Sequence, residues 1–425
     1  MTDTLSISAY PPSVQPGIPQ LGSLPAGWSR SPIGSHLVEV RRPVELDNDK
    51  VYHLVTVKRA RGGVVKRETL LGRDISVKSQ FEIQEGDFLI SKRQIVHGAC
   101  GVVPKSLHGS TVSNEYSVLR VRDTLDLNFL KYLSHAVHFQ QTCFHSSIGV
   151  HIEKMIFKLD HWFGWEFDLP PTDEQRRIAE ILGTWDRAIE KTEKLISASK
   201  DQKQSLMQQL LKGERRLPGF REKWREVQLS ELGIFLKGTG VSRSDVVPVG
   251  LPAVRYGEIY TTHHFVIESF HSFISADAAS CSLRMEQGDI LFTCSGETAE
   301  EIGKSVAYLD EVEAYAGGDI ILLRGHGQSA RFLGYALNSA DVVRQKTRFG
   351  QGNSVVHINA GNLSEIVVSL PPVDEQDAIA SVLQTAQQDV QQLTELLQRL
   401  KTEKTALMQQ LLTGKRRVRA TEMTT

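Results

Sequence analysis

A chain of 425 residues is too long for one ordinary core and is expected to divide into two domains with connectors. With 40% hydrophobic and 23% charged residues it is neither a disordered nor a fibrous sequence. A formal net charge of −1 argues against a general polyanion-binding coat, so any nucleic-acid site has to come from local charge. The cysteines, Cys100, Cys143, Cys281 and Cys294, fall singly and indicate neither a zinc site nor a disulfide framework. No stretch approaches the length of a membrane span and the N-terminus lacks a signal-like pattern, which points to a cytoplasmic protein.

Residues 1–23 are rich in Pro, Ser and Gly and read as a disordered tail. A first globule, residues 24–168, opens at Leu24-Pro25-Ala26-Gly27-Trp28. Strands are predicted over 51–57 and 88–90, turns at Gly62-Gly63 and Glu85-Gly86-Asp87, and a single helix over 128–137.

Residues 169–216 read as one long helix. After the Pro170-Pro171 stop, Thr172 and Gln175 stand in capping-box spacing, and Asp173 and Glu174 bring negative charge to the first turn, where the helix dipole favours it. Gly213 sits where a helix C-cap belongs, and Pro218 follows. The apolar period is seven: Ile178, Leu182, Trp185, Ile189, Thr192, Ile196, Ser199, Lys203, Leu206 and Leu210 step alternately by four and three. Such a seam asks for a partner helix in a left-handed coiled coil.

The second globule, residues 217–369, opens in a similar way at Leu217-Pro218-Gly219-Phe220, with Trp224 close behind. Gln287-Gly288-Asp289 echoes Glu85-Gly86-Asp87, Phe332-Leu333-Gly334-Tyr335 echoes Phe129-Leu130-Lys131-Tyr132, and Val356-His357-Ile358 echoes Val150-His151-Ile152. Order is kept while the intervening residues differ, which implies one duplicated scaffold with two different variable surfaces, and so two different ligands.

Residues 370–417 repeat 169–216 without a gap at an offset of 201, from Leu370-Pro371-Pro372-Val373-Asp374-Glu375-Gln376 to Gly414, Arg416 and Arg417. The seam recurs as Ile379, Leu383, Ala386, Val390, Leu393, Leu397, Leu400, Lys404, Leu407 and Leu411. Lys203 and Lys404 hold equivalent positions, where a polar residue fixes register. Arg215, Arg216 and the run Lys415-Arg416-Arg417 fall at equivalent helix ends, where positive charge suits the dipole. Because the second globule starts at the far end of the first helix and feeds the start of the second, the helices are expected to run antiparallel, with the globules at opposite ends of a rod about 60 Å long. Residues 418–425 are a tail.

The twice-used Leu-Pro-Pro-x-Asp-Glu-Gln opening, the twice-used Leu-Met-Gln-Gln-Leu-Leu-x-Gly closing, the paired Gly-Asp strands and Arg255-Tyr256-Gly257-Glu258-Ile259-Tyr260 resemble the specificity (S) subunit of type I restriction-modification systems. The resemblance implies an α+β protein: two target-recognition domains, each reading half of a split, asymmetric double-stranded DNA site, separated by an antiparallel coiled coil in pseudo-twofold symmetry. It also implies a non-catalytic subunit whose helices act as a ruler and dock two methylase subunits, joined by nuclease-translocase subunits. S-adenosylmethionine, ATP and magnesium then belong to the partners, and this chain binds no cofactor or metal itself. A catalytic protein with its site in one globule and an orphan DNA-binding regulator are the alternatives.

The residues agree with a reader. No Asn-Pro-Pro-aromatic or Asp-Pro-Pro-aromatic tetrad and no glycine-rich cofactor loop is present; Gly303-Lys304-Ser305 lacks the upstream glycine of a P-loop. His97 with Cys100, and His263 with His264, lack further ligands at metal spacing. For DNA, Lys58, Arg59, Arg61, Lys66 and Arg67 surround Gly62-Gly63 in a basic turn suited to phosphates, and Lys92, Arg93 and Gln94 follow the first Gly-Asp strand, where Arg and Gln suit guanine and adenine edges. In the second globule the candidates are the loop of Lys237, Thr239, Ser242 and Arg243, then Arg255 and Tyr256, Ser295 after the second Gly-Asp strand, and Arg348 with Gln351 and Asn353. Arg344 and Lys346 lead into that last loop.

Overall fold

The computed structural model describes residues 18–298, 301–350 and 356–418. The chain divides into two units, one of residues 1–191 and 397–425 and one of residues 192–396. Each holds a mixed α/β globule and a segment of each long helix.

The long helices are Thr172–Leu211 and Val373–Leu412, 40 residues each. Gly213 and Gly414 follow them with φ of +68°, a left-handed conformation that costs glycine little, so the cap positions are as expected. Every seam position is buried or half-buried: Ile178, Leu182, Ile196, Leu210, Ile379, Leu383, Val390 and Leu411 are buried, while Trp185, Ile189, Leu206, Leu393, Leu397, Leu400 and Leu407 are half-buried. In the first unit Glu174 meets Arg417 and Asp186 meets Lys404; in the second Lys203 meets Gln387 and Arg216 meets Glu375. As one helix's numbers rise its partner's fall, so the paired segments are antiparallel within each unit.

The units repeat a sheet inventory. The first has a pair, Ser29–Pro32 with Glu166–Leu169, which delivers the chain into the first long helix. Its second counterpart is Arg225–Gln228 with Val367–Leu370. Four-stranded sheets follow, ordered Leu37–Glu39, Tyr116–Val121, Phe88–Ser91, Cys100–Val102 and, correspondingly, Ile234–Lys237, Ile320–Arg324, Ile290–Thr293, Ser305–Ala307. The five-stranded sheets share a core of three: Thr111–Ser113 lies between antiparallel Gln80–Glu82 and parallel Val51–Val57, as Tyr315–Ala316 lies between Leu283–Arg284 and Leu251–Val254. Their edges differ. Val51–Val57 continues into a hairpin with Val64–Leu71, whereas Leu251–Val254 pairs with Ser272–Ile274 after a short helix, Tyr256–Thr261.

The cores weld helix ends to globules. Ile178, Leu182, Leu411 and Leu412 pack with Phe88, Phe129, Phe139 and Trp162, while Leu210, Leu211, Ile379 and Leu383 pack with Ile290, Phe292 and Phe332. The buried carboxylates of the Gly-Asp turns complete the scaffold. Asp87 accepts from Arg42 at 2.7 Å, Arg120 at 2.9 Å and its own turn's Gln84 N–H at 2.8 Å. Asp289 accepts from Arg324 at 2.6 Å and Glu286 N–H at 2.8 Å.

Two local expectations are corrected. The single helix over 128–137 is two, Leu127–Leu133 and Val137–His145. Ser134 closes the first by donating its hydroxyl to Lys131 O at 2.7 Å, and Ala136 is extended at φ −66°, ψ 143°. The capping box at Thr172 is also replaced. Gln175 is buried and donates to Pro170 O and Thr124 O at 2.9 and 3.0 Å while accepting from Asp126 N–H at 2.8 Å, so it ties the helix start to the globule. Gln376 repeats this with Pro371 O, Gln328 and Ser329 N–H.

Candidate nucleic-acid interface

In the first unit, the tip of the 51–71 hairpin folds onto the loop that follows the Gly-Asp strand. Ala60 and Arg61 take φ of +53° and +58°, and their N–H groups donate to His97 O at 2.7 Å and Gly98 O at 2.8 Å. Gly101 lets the strands approach, since a Cβ there would lie 3.2 Å from Gly63 Cα. The two basic clusters picked out in the sequence are thereby brought together: Arg59 Nε donates to Gln94 Oε1 at 2.8 Å. Lys58, Arg59, Lys66, Arg67 and Arg93 are exposed, and Lys92 and Gln94 half-exposed. Arg61 turns inward instead, donating to Ser134 O at 3.1 Å, and burial lowers its pKa.

Most arginines of this edge have a carboxylate beside them. Arg59 pairs with Glu153 at 2.9 Å, Arg93 with Glu115 at 2.5 Å and Arg67 with Glu68 at 2.6 Å. Lys92 Nζ donates to Asn114 O at 2.8 Å. Exposed pairs of this kind contribute little to stability, so an incoming phosphate can exchange with the carboxylate at small cost.

In the second unit, Ser242, Arg243, Arg255 and Tyr256 line one cleft of about 670 Å³, floored by Gly240, Gly317 and Gly318 and bordered by Asp319. The differing sheet edge builds it: Arg255 and Tyr256 open the short helix that replaces the first unit's hairpin. Arg255 is held in place, Nε donating to Ser272 Oγ at 2.9 Å, while Ser272 donates to Glu258 at 2.5 Å. Tyr256 stays 43% exposed, leaving a ring face for a ligand. Lys237 ends the strand Ile234–Lys237, and Thr239 lies on the adjoining loop, where it donates to Cys281 O at 2.9 Å. Ser295 lies elsewhere, its hydroxyl 3.1 Å from His357 Nδ1. Arg348 is exposed at the end of helix Ala340–Phe349; Gln351 and Asn353 lie outside the described residues.

Other sequence signals resolve as scaffold. Lys346 is fully buried, donating to Gly303 O at 2.6 Å and Leu337 O at 2.8 Å. Ser305 enters a strand, Ser305–Ala307, rather than the helix that a P-loop requires, and Lys304 donates to Tyr260 O at 3.1 Å. Among the described residues no group of three or more His, Cys, Asp or Glu is placed to hold a metal ion, and no helix is long and apolar enough to cross a membrane.

Sequence reasoning missed a cluster that occurs twice. Glu174 accepts from Arg417 at 2.8 Å and Trp28 Nε1 at 3.3 Å, and the guanidinium lies 5.7 Å from the Trp28 ring centre. Glu375, Arg216 and Trp224 repeat the arrangement, at 2.6, 3.3 and 5.7 Å. Arg216 and Arg417 therefore clasp the start of the opposing helix, a role beyond the dipole assigned to them. The signal was present in the offset of 201, which carries Glu174 to Glu375 and Arg216 to Arg417, with a Trp near the start of each globule.

The family described as type I restriction modification DNA specificity domain matches residues 45–198 and 222–402. The type I restriction enzyme MjaVIII specificity subunit of Methanocaldococcus jannaschii is 22% identical, over 93% of this chain and 94% of that protein. The HsdS subunit of Thermoanaerobacter tengcongensis superposes with a TM-score of 0.53 at 19% identity, covering 92% of this chain and 98% of the other. The S subunit of M. genitalium does so with a TM-score of 0.55 at 14% identity, covering 94% and 98%. A chain from a structural study of complex assembly and conformational transition in the type I R-M system gives a TM-score of 0.57 at 20% identity, covering 92% and 99%.

Proposed function

The chain belongs to the type I restriction-modification DNA specificity family and is a specificity subunit; from that premise we propose that its two globules read the two halves of a bipartite, asymmetric double-stranded DNA site. The observation that carries this reading is the pair of unlike edges on a shared three-strand core, a basic hairpin tip in one unit and an arginine-tyrosine cleft in the other. Identical scaffolds with unlike edges suit unlike sequences.

In the first unit Lys58, Lys66, Arg67 and Lys92 engage phosphates, while Arg93 and Gln94 reach base edges. In the second, Arg243 and Lys237 engage phosphates, and Arg255, held by Ser272, presents its guanidinium with Tyr256 beside it. The long helices dock two methylase subunits, and nuclease-translocase subunits join that assembly. S-adenosylmethionine, ATP and magnesium act in those partners.

The test is an assay of the purified full chain alone and then with its methylase subunits on a random duplex library. The expected result is no methyl transfer or cleavage by the chain alone and methylation at a two-part motif by the complex. Methylation or cleavage by the chain alone would overturn the reading.

A further inference from the structure

Beside the basic edge of the first unit stands a small hairpin, Ser147–Ile148 paired with Ile156–Phe157, that carries apolar side chains into solvent. Val150 is 96% exposed, Ile148 54% and Ile156 38%, with Ile148 and Ile156 directly across from one another. Single exposed apolar residues are ordinary, but three at one tip are not.

The scaffold does not require them. In the second unit the echoing Val356 and Ile358 are 6% and 3% exposed, so the apolar residues of the same words are buried there. The turn is also tight enough to need glycine: a Cβ on Gly149 would lie 2.8 Å from Met155 Cα. The tip is thus shaped to turn its neighbours outward.

The hairpin is wired to the candidate DNA edge. Phe157 N–H donates to Lys92 O at 2.8 Å, and Glu153 in its turn pairs with Arg59. Exposed cations flank it, Lys154 in the hairpin's turn, Lys158 directly after its second strand, and Arg59 and Arg93 beside it, against the carboxylates Glu153 and Glu115. An apolar tip inside a cationic rim matches the major groove, where phosphates border base edges and thymine alone among the four bases offers a methyl group.

Resting on the reading of this chain as a DNA specificity subunit, we propose that Val150 and Ile148 are specificity-determining residues that contact thymine C5-methyl groups in the half-site read by the first unit. The contact is dispersive and desolvating, so it discriminates thymine from uracil, which differ by that methyl alone.

The experiment replaces each thymine of the selected duplex by deoxyuridine, one at a time, and measures binding by the full chain in complex with its methylase subunits. Burying one methyl predicts a loss of about fourfold per contacted thymine, confined to one half-site and abolished in V150A or I148A, with I148V close to wild type. Both side chains are solvent-exposed, so folding is not at stake. Selective binding that ignores the methyl at every position would overturn this proposal and leave the specificity reading standing. Thymine sensitivity that persists unchanged in both V150A and I148A would overturn it in favour of a contact made elsewhere on the chain. Loss of all sequence preference in the wild-type complex would overturn the specificity reading itself.

Discussion

Glu174 shows how one side chain fixes the joint between helix and globule. Burial alone would raise its pKa, but the Arg417 guanidinium and Val418 N–H outweigh that and hold it below the usual carboxylate range. A depressed carboxyl stabilises fully above the unfolded value, about 4.3, and loses that contribution as pH falls through the folded value. E174Q is therefore expected to lower stability at pH 7 by about 2 kcal/mol, less than for a fully buried pair because Arg417 is partly exposed. Urea denaturation checks this, and the deficit should shrink below pH 4 or so, where wild type also loses its charge. Lys346 has the opposite sign. Burial lowers its pKa to about 7, so between that value and the unfolded one, about 10.4, the unfolded chain binds the extra proton. Stability should rise from pH 7 to about 10, by at most about 1.4 kcal/mol per unit, and K346M should flatten the rise. The offset of 201 carried the signal for the Glu174 pairing, but the role of Lys346 was not legible from sequence: it stands between Arg344 and Arg348 on a helix, and its inward direction depends on Gly303, which approaches from a separate strand turn.

At the scale of elements, the two long helices were legible because their period and their repeat are properties of sequence alone, and the seam residues are those the heptad steps select. Equivalent positions in the seam nevertheless differ. Lys404 pairs with Asp186 at 2.5 Å beside Tyr132, whereas Lys203 meets neutral Gln387 at 2.7 Å, with Phe265 nearby. Double-mutant cycles should give the Lys404–Asp186 pair a coupling of about 1 kcal/mol that falls as salt is added, and the Lys203–Gln387 pair a coupling that salt changes little. Leu182 and Leu383 are fully buried where helix and globule cores merge, so truncating either to Ala should cost about 3 kcal/mol in thermal or chemical unfolding. The sheets were only partly legible. Strands at 51–57 and 88–90 came from β-branched runs and glycine turns, but the split at Ser134 depends on a side-chain cap that a helical stretch does not advertise. Loops were least legible: Lys58 to Arg67 and Lys92 to Gln94 read as separate clusters, and only the left-handed turn at Ala60 and Arg61 joins them.

For the molecule as a whole, the duplication predicts a division of labour between the units, with each long helix contributing residues to both. If helix length measures the gap between half-sites, inserting one heptad in each helix should lengthen the spacer of the recognised motif and leave both half-sites unchanged; a spacer that stays the same would remove the ruler from the account. The central claim is that one chain supplies two different DNA readers. Methylome sequencing of cells carrying the methylase subunits, with and without this chain, tests it most directly. The account predicts a methylated motif of two dissimilar half-sites, separated by unspecified bases, that appears only when the chain is present; a single uninterrupted motif, or one that persists without the chain, would contradict it.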